Sequence, residues 1–171
     1  MQWSRLKAVY GEENLQKLQS STVFLCGLGG VGSNCLNTLA RSAISNFILV
    51  DFDTVDPSNI NRQAVARLDT VGRLKTEVAK EDVLNINADA KVEVFDKKLD
   101  ADNTYEFLES VNAESPFDFI LECIDCIFAI SRNKNNRWWE FQMLQSISKL
   151  QSVRLWHIDI QEQQITRIFF Q

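Results

Sequence analysis

The sequence has little histidine, proline or glycine and no long apolar run. Its 171 residues include one histidine, two prolines and six glycines. No stretch approaches the ~18 to 20 apolar residues that a membrane-spanning helix needs. The opening MQWSRLKAVYGEENL is mixed and charged, without the apolar core of a signal peptide. We therefore expect a cytoplasmic protein with no membrane span.

Cysteine and basic charge are also limited. The four cysteines are too few to form a disulfide framework in a chain of this size, so we expect free thiols. Cys123 and Cys126 form a C-x-x-C pair, but no second pair completes a zinc site, which favours structural thiols over metal or redox use. The formal net charge of -5 argues against a broadly basic surface, so a nucleic acid would need a local patch.

Short apolar runs alternate with helical patterns through most of the chain. Buried strands are predicted at 22–26, 47–53, 92–95 and 117–125, and amphipathic segments separate them. Because parallel strands need crossover connections and a helix is the usual one, this order predicts a Rossmann-like α/β fold. We expect a doubly wound, mainly parallel sheet with flanking helices, preceded by an N-terminal helical segment broken around Gly11.

The composition changes near Cys126. From Phe128 onward there is no glycine or proline, three of the four tryptophans appear, and the sign of the charge turns positive. We expect one domain over 1–127 and a divergent tail over 128–171, with a helix around 138–150 and a strand at 153–160. The shift suggests a truncated or frame-shifted product, or a divergent end. The single histidine, His157, lies in this tail and is expected to be an ordinary packed or surface residue.

A glycine-rich turn follows the first predicted strand. Gly27, Gly29 and Gly32 fit G-x-G-x-x-G, and Ser33 is expected to cap the helix that follows. Without Cβ atoms, backbone N–H groups can approach a phosphate at a helix N-terminus. Asp51 and Asp53 come about 20 residues later, where an acid accepts hydrogen bonds from ribose hydroxyls. The alternative is a tight turn that needs glycine only for a positive φ.

A polar cluster follows these acids. It supplies hydrogen-bond donors and two cations from Ser58, Asn59, Asn61, Arg62 and Lys75. Such a cluster suits a polyphosphate with more charge than a dinucleotide, so ATP fits better than NAD. The alternative for the two cations is a solvated surface.

Asp125 ends the fourth predicted strand, at the sheet edge where ligands of open parallel sheets gather. A carboxylate facing a triphosphate is a natural partner for Mg²⁺. The alternative is an acid that caps the following turn.

Four motifs in this order and spacing resemble the adenylating domain of the ThiF/MoeB/HesA superfamily, relatives of ubiquitin-activating enzymes. They are G-L-G-G-V-G-S, L-V-D-F-D-T-V-D, S-N-I-N-R-Q and V-G-R-L-K, and the resemblance covers residues 3 to about 127. Within the superfamily, R-L-K-A-V-Y-G-E-E-N-L, L-A-R-S-A-I and N-I-N-R-Q most resemble the dehydratases that cyclise threonylcarbamoyladenosine in tRNA.

The resemblance implies a role for each matching residue. Gly30 and its neighbouring glycines would lie against the nucleotide, Asp51 would hold the ribose, and Asp53 would sit close behind it. Asp125 would hold Mg²⁺, and Arg5 would reach the active site of a partner subunit in a homodimer. The side chains implied to contact the triphosphate are Asn59, Asn61, Arg62 and Lys75.

The implied chemistry is ATP-dependent adenylation of a carboxylate, here the threonyl group on tRNA, followed by ring closure. Adenylation of the C-terminal glycine of a ubiquitin-like sulfur-carrier protein is the second reading. A catalytically incomplete nucleotide-binding or pairing module is the third, and an NAD dehydrogenase is disfavoured by Arg62 and Lys75. The chain departs from the superfamily at Asp125-Cys126, where relatives carry Asp-Asn or Asp followed by a small polar residue, and after residue 127, where no further motif of the family is found.

Overall fold

The computed structural model describes residues 2–100 and 102–124 in full. Further along, it describes the backbone of 128–132, 138–143, 156–158 and 165–167. None of the described helices is long and apolar enough to cross a membrane.

The centre of the fold is a four-stranded parallel sheet with the order β3-β2-β1-β4. Its strands are β1 (Thr22–Cys26), β2 (Asn46–Val50), β3 (Lys91–Phe95) and β4 (Phe119–Glu122). The helices are α1 (Ser4–Ser20), α2 (Gly30–Arg41), α3 (Lys75–Ile86) and α4 (Thr104–Glu114). The predicted doubly wound α/β fold is confirmed.

The two faces of the sheet bury different side chains, because neighbouring residues of a strand point to opposite sides. On one face, Val23 and Leu25 of β1 join a cluster that includes residues of α2 and α3. On the other face, Phe24 and Cys26 join a cluster that includes Phe107 of α4. Both faces are therefore covered by helices, which explains why β1 and β2 read as continuous apolar runs.

Several element boundaries differ from the predictions. The second strand ends at Val50 rather than at 53, which places Asp51 in the loop after the strand. Helix α2 begins at Gly30, with Gly29 before it, so Ser33 lies inside the first turn and is not the cap. The break predicted in the N-terminal helix is confirmed, since Gly11 has a φ of 80° inside α1.

The C-terminal segments form two small antiparallel sheets. Strands β5 (Phe128–Arg132) and β6 (Trp138–Met143) pair, as do β7 (Trp156–Ile158) and β8 (Ile165–Arg167). The helix expected around 138–150 is wrong over Trp138–Met143. Apolar and polar residues alternate through WEFQM with a period of two, which favours a strand. The strand expected at 153–160 contains β7.

Candidate functional site

The candidate site lies where β1 and β2 end at the carboxyl edge of the sheet. The strand order reverses between β1, which is followed by α2, and its neighbour β4. A crevice at such a reversal is where open α/β sheets bind ligands. The glycine turn after β1 and the acidic loop after β2 both open onto this edge.

Two of the glycines are required by the packing of the turn. Gly27 has a φ of 89°, and a Cβ there would lie 2.7 Å from the carbonyl oxygen of Cys123. A Cβ on Gly32 would lie 1.7 Å from the carbonyl oxygen of Gly27. Helix α2 therefore approaches the end of β1 at a distance that only glycine permits.

The other two glycines leave the start of α2 open. Gly29 has a φ of -71°, and Gly30 is the first helical residue, so neither backbone conformation demands glycine. A Cβ on Gly30 would make an ordinary contact, 3.4 Å from Cγ of Arg62. In the described part of the chain no side chain caps this helix N-terminus, so its first N–H groups, which have no partner within the helix, can bind an anion.

Asp51 is buried and braces the two loops. One carboxylate oxygen accepts a hydrogen bond from the backbone N–H of Leu28 at 2.6 Å, and the other accepts from the N–H of Asp53 at 2.8 Å. Burial raises the pKa of Asp51, an effect that these two N–H groups and Lys75 partly oppose. The role expected for Asp51 at the ribose remains a prediction, and its carboxylate fixes the glycine turn in any case.

Lys75 and Asp53 form an ion pair next to the hydrogen bonds that Asp51 accepts. Nζ of Lys75 lies 2.8 Å from Oδ2 of Asp53, and the backbone N–H of Lys75 donates to the Asp53 carbonyl at 3.0 Å. The side chain of Lys75 is only 6% exposed, whereas that of Asp53 is 48% exposed. The cation predicted from the sequence is thus built into the site and does not extend from a solvated surface.

Arg62 lies against the open end of α2. Its Nη1 donates to the carbonyl of Ser58 at 3.2 Å and to Oδ1 of Asn61 at 3.0 Å. The side chain of Asn34, in the first turns of α2, donates both to the carbonyl of Gly30 at 2.6 Å and to that of Arg62 at 3.1 Å. The structure therefore brings Gly30, Arg62, Asn61 and Ser58 together.

The short 3₁₀ turn Pro57–Asn59 gives part of the polar cluster a structural role. Oδ1 of Asn59 accepts from the N–H of Asp56 at 3.2 Å, and Oδ1 of Asp56 accepts from the N–H of Ser58 at 2.8 Å. This reciprocal capping uses the amide oxygen of Asn59. Contact between this turn and a triphosphate stays a prediction.

Gln63, to which the sequence interpretation assigned no role, is a buried polar residue at the site. It is 7% exposed, its Oε1 has no hydrogen-bond partner among the residues that the structure describes, and its Nε2 lies 4.0 Å from where a Cβ of Gly29 would be. The sequence signal that could have predicted a role for Gln63 is its position directly after Arg62, within N-I-N-R-Q. An unpaired buried acceptor is costly to the free protein, which points to a role at the site.

We expect Gln63→Met to raise the free energy of unfolding by about 1 kcal/mol, because it removes an unpaired buried acceptor while keeping a similar shape. Urea unfolding of both proteins measures the difference. Gln16→Met, at an exposed position of α1, is the matched control and should change stability by less than about 0.5 kcal/mol. A Gln63→Met protein less stable than wild type would contradict the expectation.

Two further predicted site residues stay predictions. Arg5 is exposed on α1. Asp125, and with it the predicted Mg²⁺ position, lies outside the described residues, as does Cys126. Within the described part of the chain, no group of three or more His, Cys, Asp or Glu side chains could hold a metal ion.

Cys26, Cys35 and Cys123 are free thiols. Burial raises the pKa of Cys26 strongly and that of Cys123 to about 12. Because the thiolate is the reactive form, and a pKa of about 12 leaves roughly one thiol in 10⁴ ionised at pH 8, these residues should be inert.

We therefore expect iodoacetamide at pH 8 to label Cys26 and Cys123 of the folded protein at less than about a hundredth of the rate in urea. Peptide mass spectrometry after timed quenching measures both sites. Labelling of Cys123 at nearly the same rate in the folded and unfolded chains would contradict a structural role.

The chain is similar to several known proteins. The tRNA threonylcarbamoyladenosine dehydratase of Bacillus subtilis is 37% identical over 126 residues, which are 74% of this chain and 48% of that protein. The crystal structure of the E. coli tRNA N6-threonylcarbamoyladenosine dehydratase, TcdA, in complex with ATP matches with a TM-score of 0.67 and 32% identity, covering 72% of this chain and 49% of that one.

A second kind of relative is similarly close in sequence. The adenylyltransferase and sulfurtransferase UBA4 of Lodderomyces elongisporus is 36% identical over 117 residues, or 68% of this chain and 24% of that protein. The chain thus spans about half the length of the dehydratases it matches and a quarter of UBA4. The model of the ThiF family matches residues 3–139, and the chain belongs to the ThiF family.

Proposed function

We propose that this chain binds ATP and transfers its adenylyl group to a carboxylate. The observation that carries the proposal is the uncapped start of α2, with Arg62 lying against Gly30. Lys75 is tied to the same glycine turn through Asp53 and Asp51. A helix N-terminus and two cations suit a polyphosphate, and the ATP complex of the E. coli relative supports this ligand.

In the proposed reaction, a carboxylate oxygen attacks the α-phosphorus of ATP. The new bond joins that oxygen to phosphorus, while the bond from phosphorus to the bridging oxygen breaks and pyrophosphate leaves with its electrons. The attacking group is already an anion, so no protein base is needed. Arg62 and Lys75 would stabilise the charge on the phosphates, and catalysis would come from position and electrostatics.

Mg²⁺ is part of the proposal, with Asp125 as the residue that would hold it. Its chemistry would be to offset charge on the phosphate oxygens, for which it prefers oxygen ligands. The support is the place of Asp125 two residues after Cys123, whose backbone N–H donates to the carbonyl of Cys26 at 2.8 Å beside the glycine turn.

The threonyl carboxylate of threonylcarbamoyladenosine in tRNA is the substrate we propose. Its support is the similarity to two dehydratases of that name, together with the resemblance of the N-I-N-R-Q stretch to that branch of the superfamily. A ubiquitin-like sulfur carrier ending in glycine is the second candidate, favoured by the 36% identity to UBA4.

Exchange of labelled pyrophosphate into ATP distinguishes these substrates. We expect exchange that depends on tRNA carrying the uncyclised nucleoside and is absent with tRNA lacking it. Exchange that depends instead on a carrier protein ending Gly-Gly would support the second candidate. ATP binding without exchange in either case would indicate a nucleotide-binding or pairing module.

We further propose that residues 1–127 act as the adenylating domain and 128–171 as a separate tail. The four-stranded parallel sheet is built entirely from strands of the first segment, and the described later strands pair as β5 with β6 and β7 with β8. We also propose a homodimer, in which the exposed Arg5 contributes to the site of a second copy. We propose a cytoplasmic location, where tRNA and ATP are present. Limited proteolysis that cuts first near residue 127 would support the division.

A further inference from the structure

The two side chains of the ion pair between Asp53 and Lys75 differ in burial, and this difference gives them different roles. Lys75 is almost fully buried, and an ammonium ion in that position needs a partner. Asp53 is half exposed and is the partner that the structure provides at 2.8 Å. The Asp53 carboxylate therefore determines where the Lys75 ammonium lies. The position of the half-exposed carboxylate depends less on the ammonium.

A continuous series of hydrogen bonds connects this pair to the glycine turn. The N–H of Leu28 donates to Asp51, Asp51 accepts from the N–H of Asp53, and the Asp53 carboxylate accepts from Nζ of Lys75, over 2.6, 2.8 and 2.8 Å. The ammonium position is thus fixed relative to the anion-binding start of α2. One of its three donors is used by Asp53, which would leave two for the phosphates under the proposed function.

The backbone here is held independently of the Asp53 side chain. Thr54 and Leu74 form an antiparallel bridge, the N–H of Val55 donates to the Arg73 carbonyl at 2.9 Å, and that of Gly72 donates to the Val55 carbonyl at 2.8 Å. Removal of the carboxylate should therefore release the ammonium without releasing the loop.

We propose that Asp53 is a positioning residue that holds Lys75 for the β- and γ-phosphates of ATP, and that it acts through Lys75 rather than by contacting the ribose. This inference rests on the proposed ATP-binding function. It predicts that Asp53 matters for a nucleotide with three phosphates and not for one with a single phosphate.

Calorimetry with ATP and with AMP tests this in wild type, Asp53→Ala, Asp53→Asn, Lys75→Met and the Asp53→Ala/Lys75→Met double variant. We expect Asp53→Ala to weaken ATP binding about tenfold and AMP binding less than twofold, because only ATP reaches Lys75. Asp53→Asn should recover most of the ATP affinity, since its amide oxygen still accepts from the ammonium. In the Lys75→Met background, Asp53→Ala should have no further effect.

Equal losses for ATP and AMP would overturn the inference and make Asp53 a ribose ligand. A further loss in the Lys75→Met background, or a gain in ATP affinity, would also overturn it. If wild type binds neither nucleotide, the proposed function fails as well, which distinguishes the two failures. Asp53→Ser, whose hydroxyl is too short to reach Lys75, replaces the alanine variant if that variant does not fold.

Discussion

Gly32→Ala is expected to destabilise the protein by about 4 kcal/mol or more, a large part of the stability of a typical domain. The added Cβ would lie 1.7 Å from the carbonyl oxygen of Gly27, a backbone atom fixed at the end of β1. Helix α2 would have to move away from the sheet, and Leu36 and Ala40 would lose their buried contacts. Urea unfolding followed by circular dichroism measures the loss.

Gly30→Ala is the matched control, since it adds the same methyl group two residues earlier. Its Cβ would make ordinary contacts with Arg62, 3.4 Å from Cγ and 3.7 Å from the carbonyl oxygen, and alanine is favoured over glycine in a helix. We expect its stability to stay within about 0.5 kcal/mol of wild type. If Gly32→Ala were as stable as this control, the close approach of α2 to β1 would be contradicted.

Lys75→Met is expected to weaken ATP binding about a hundredfold, or about 2.7 kcal/mol, while AMP binding falls less than threefold. The methionine keeps an apolar stem in the buried space and removes the charge that would face the outer phosphates. Asp53, half exposed, can remain solvated without its partner, so the fold should persist. Calorimetry with both nucleotides measures the two effects.

The control for this variant is Lys80→Met, which removes the same charge from the same helix, five residues further along. We expect it to bind ATP within about twofold of wild type, because a residue five positions along an α-helix points to a different side from Lys75. Equal losses for Lys75→Met and Lys80→Met would show that only net charge matters and would contradict a defined contact.

The sheet and the glycine turn could be predicted because their local signals agree with the tertiary structure. The runs at 22–26 and 92–95 are apolar over strand-like lengths, and β1 and β3 occupy these segments with at most one residue of difference. The glycine spacing similarly predicts the positions where Gly27 and Gly32 exclude a Cβ. The strand signals and the contact of Gly32 with Gly27 are local, whereas the Cβ at Gly27 is excluded by the carbonyl oxygen of Cys123, far along the chain.

Long-range partners explain what the sequence did not reveal. The residues around Asp51 do not predict that both of its carboxylate oxygens accept hydrogen bonds from the N–H groups of Leu28 and Asp53. Those around Lys75 do not predict that it is buried. Ser33 resembles a cap, but its hydroxyl instead donates to the Gly29 carbonyl at 2.6 Å and accepts from the N–H of Ala64 at 2.9 Å. Such choices depend on loops 20 to 40 residues away, which composition and spacing do not specify.

We propose that the start of α2, Arg62 and Lys75 bind one triphosphate together. A crystal structure with a non-hydrolysable ATP analogue would show whether they do. We expect phosphate oxygens within hydrogen-bonding distance of the first N–H groups of α2, the Arg62 guanidinium and Nζ of Lys75. An analogue bound with both side chains directed away from its phosphates would contradict the proposed ATP site.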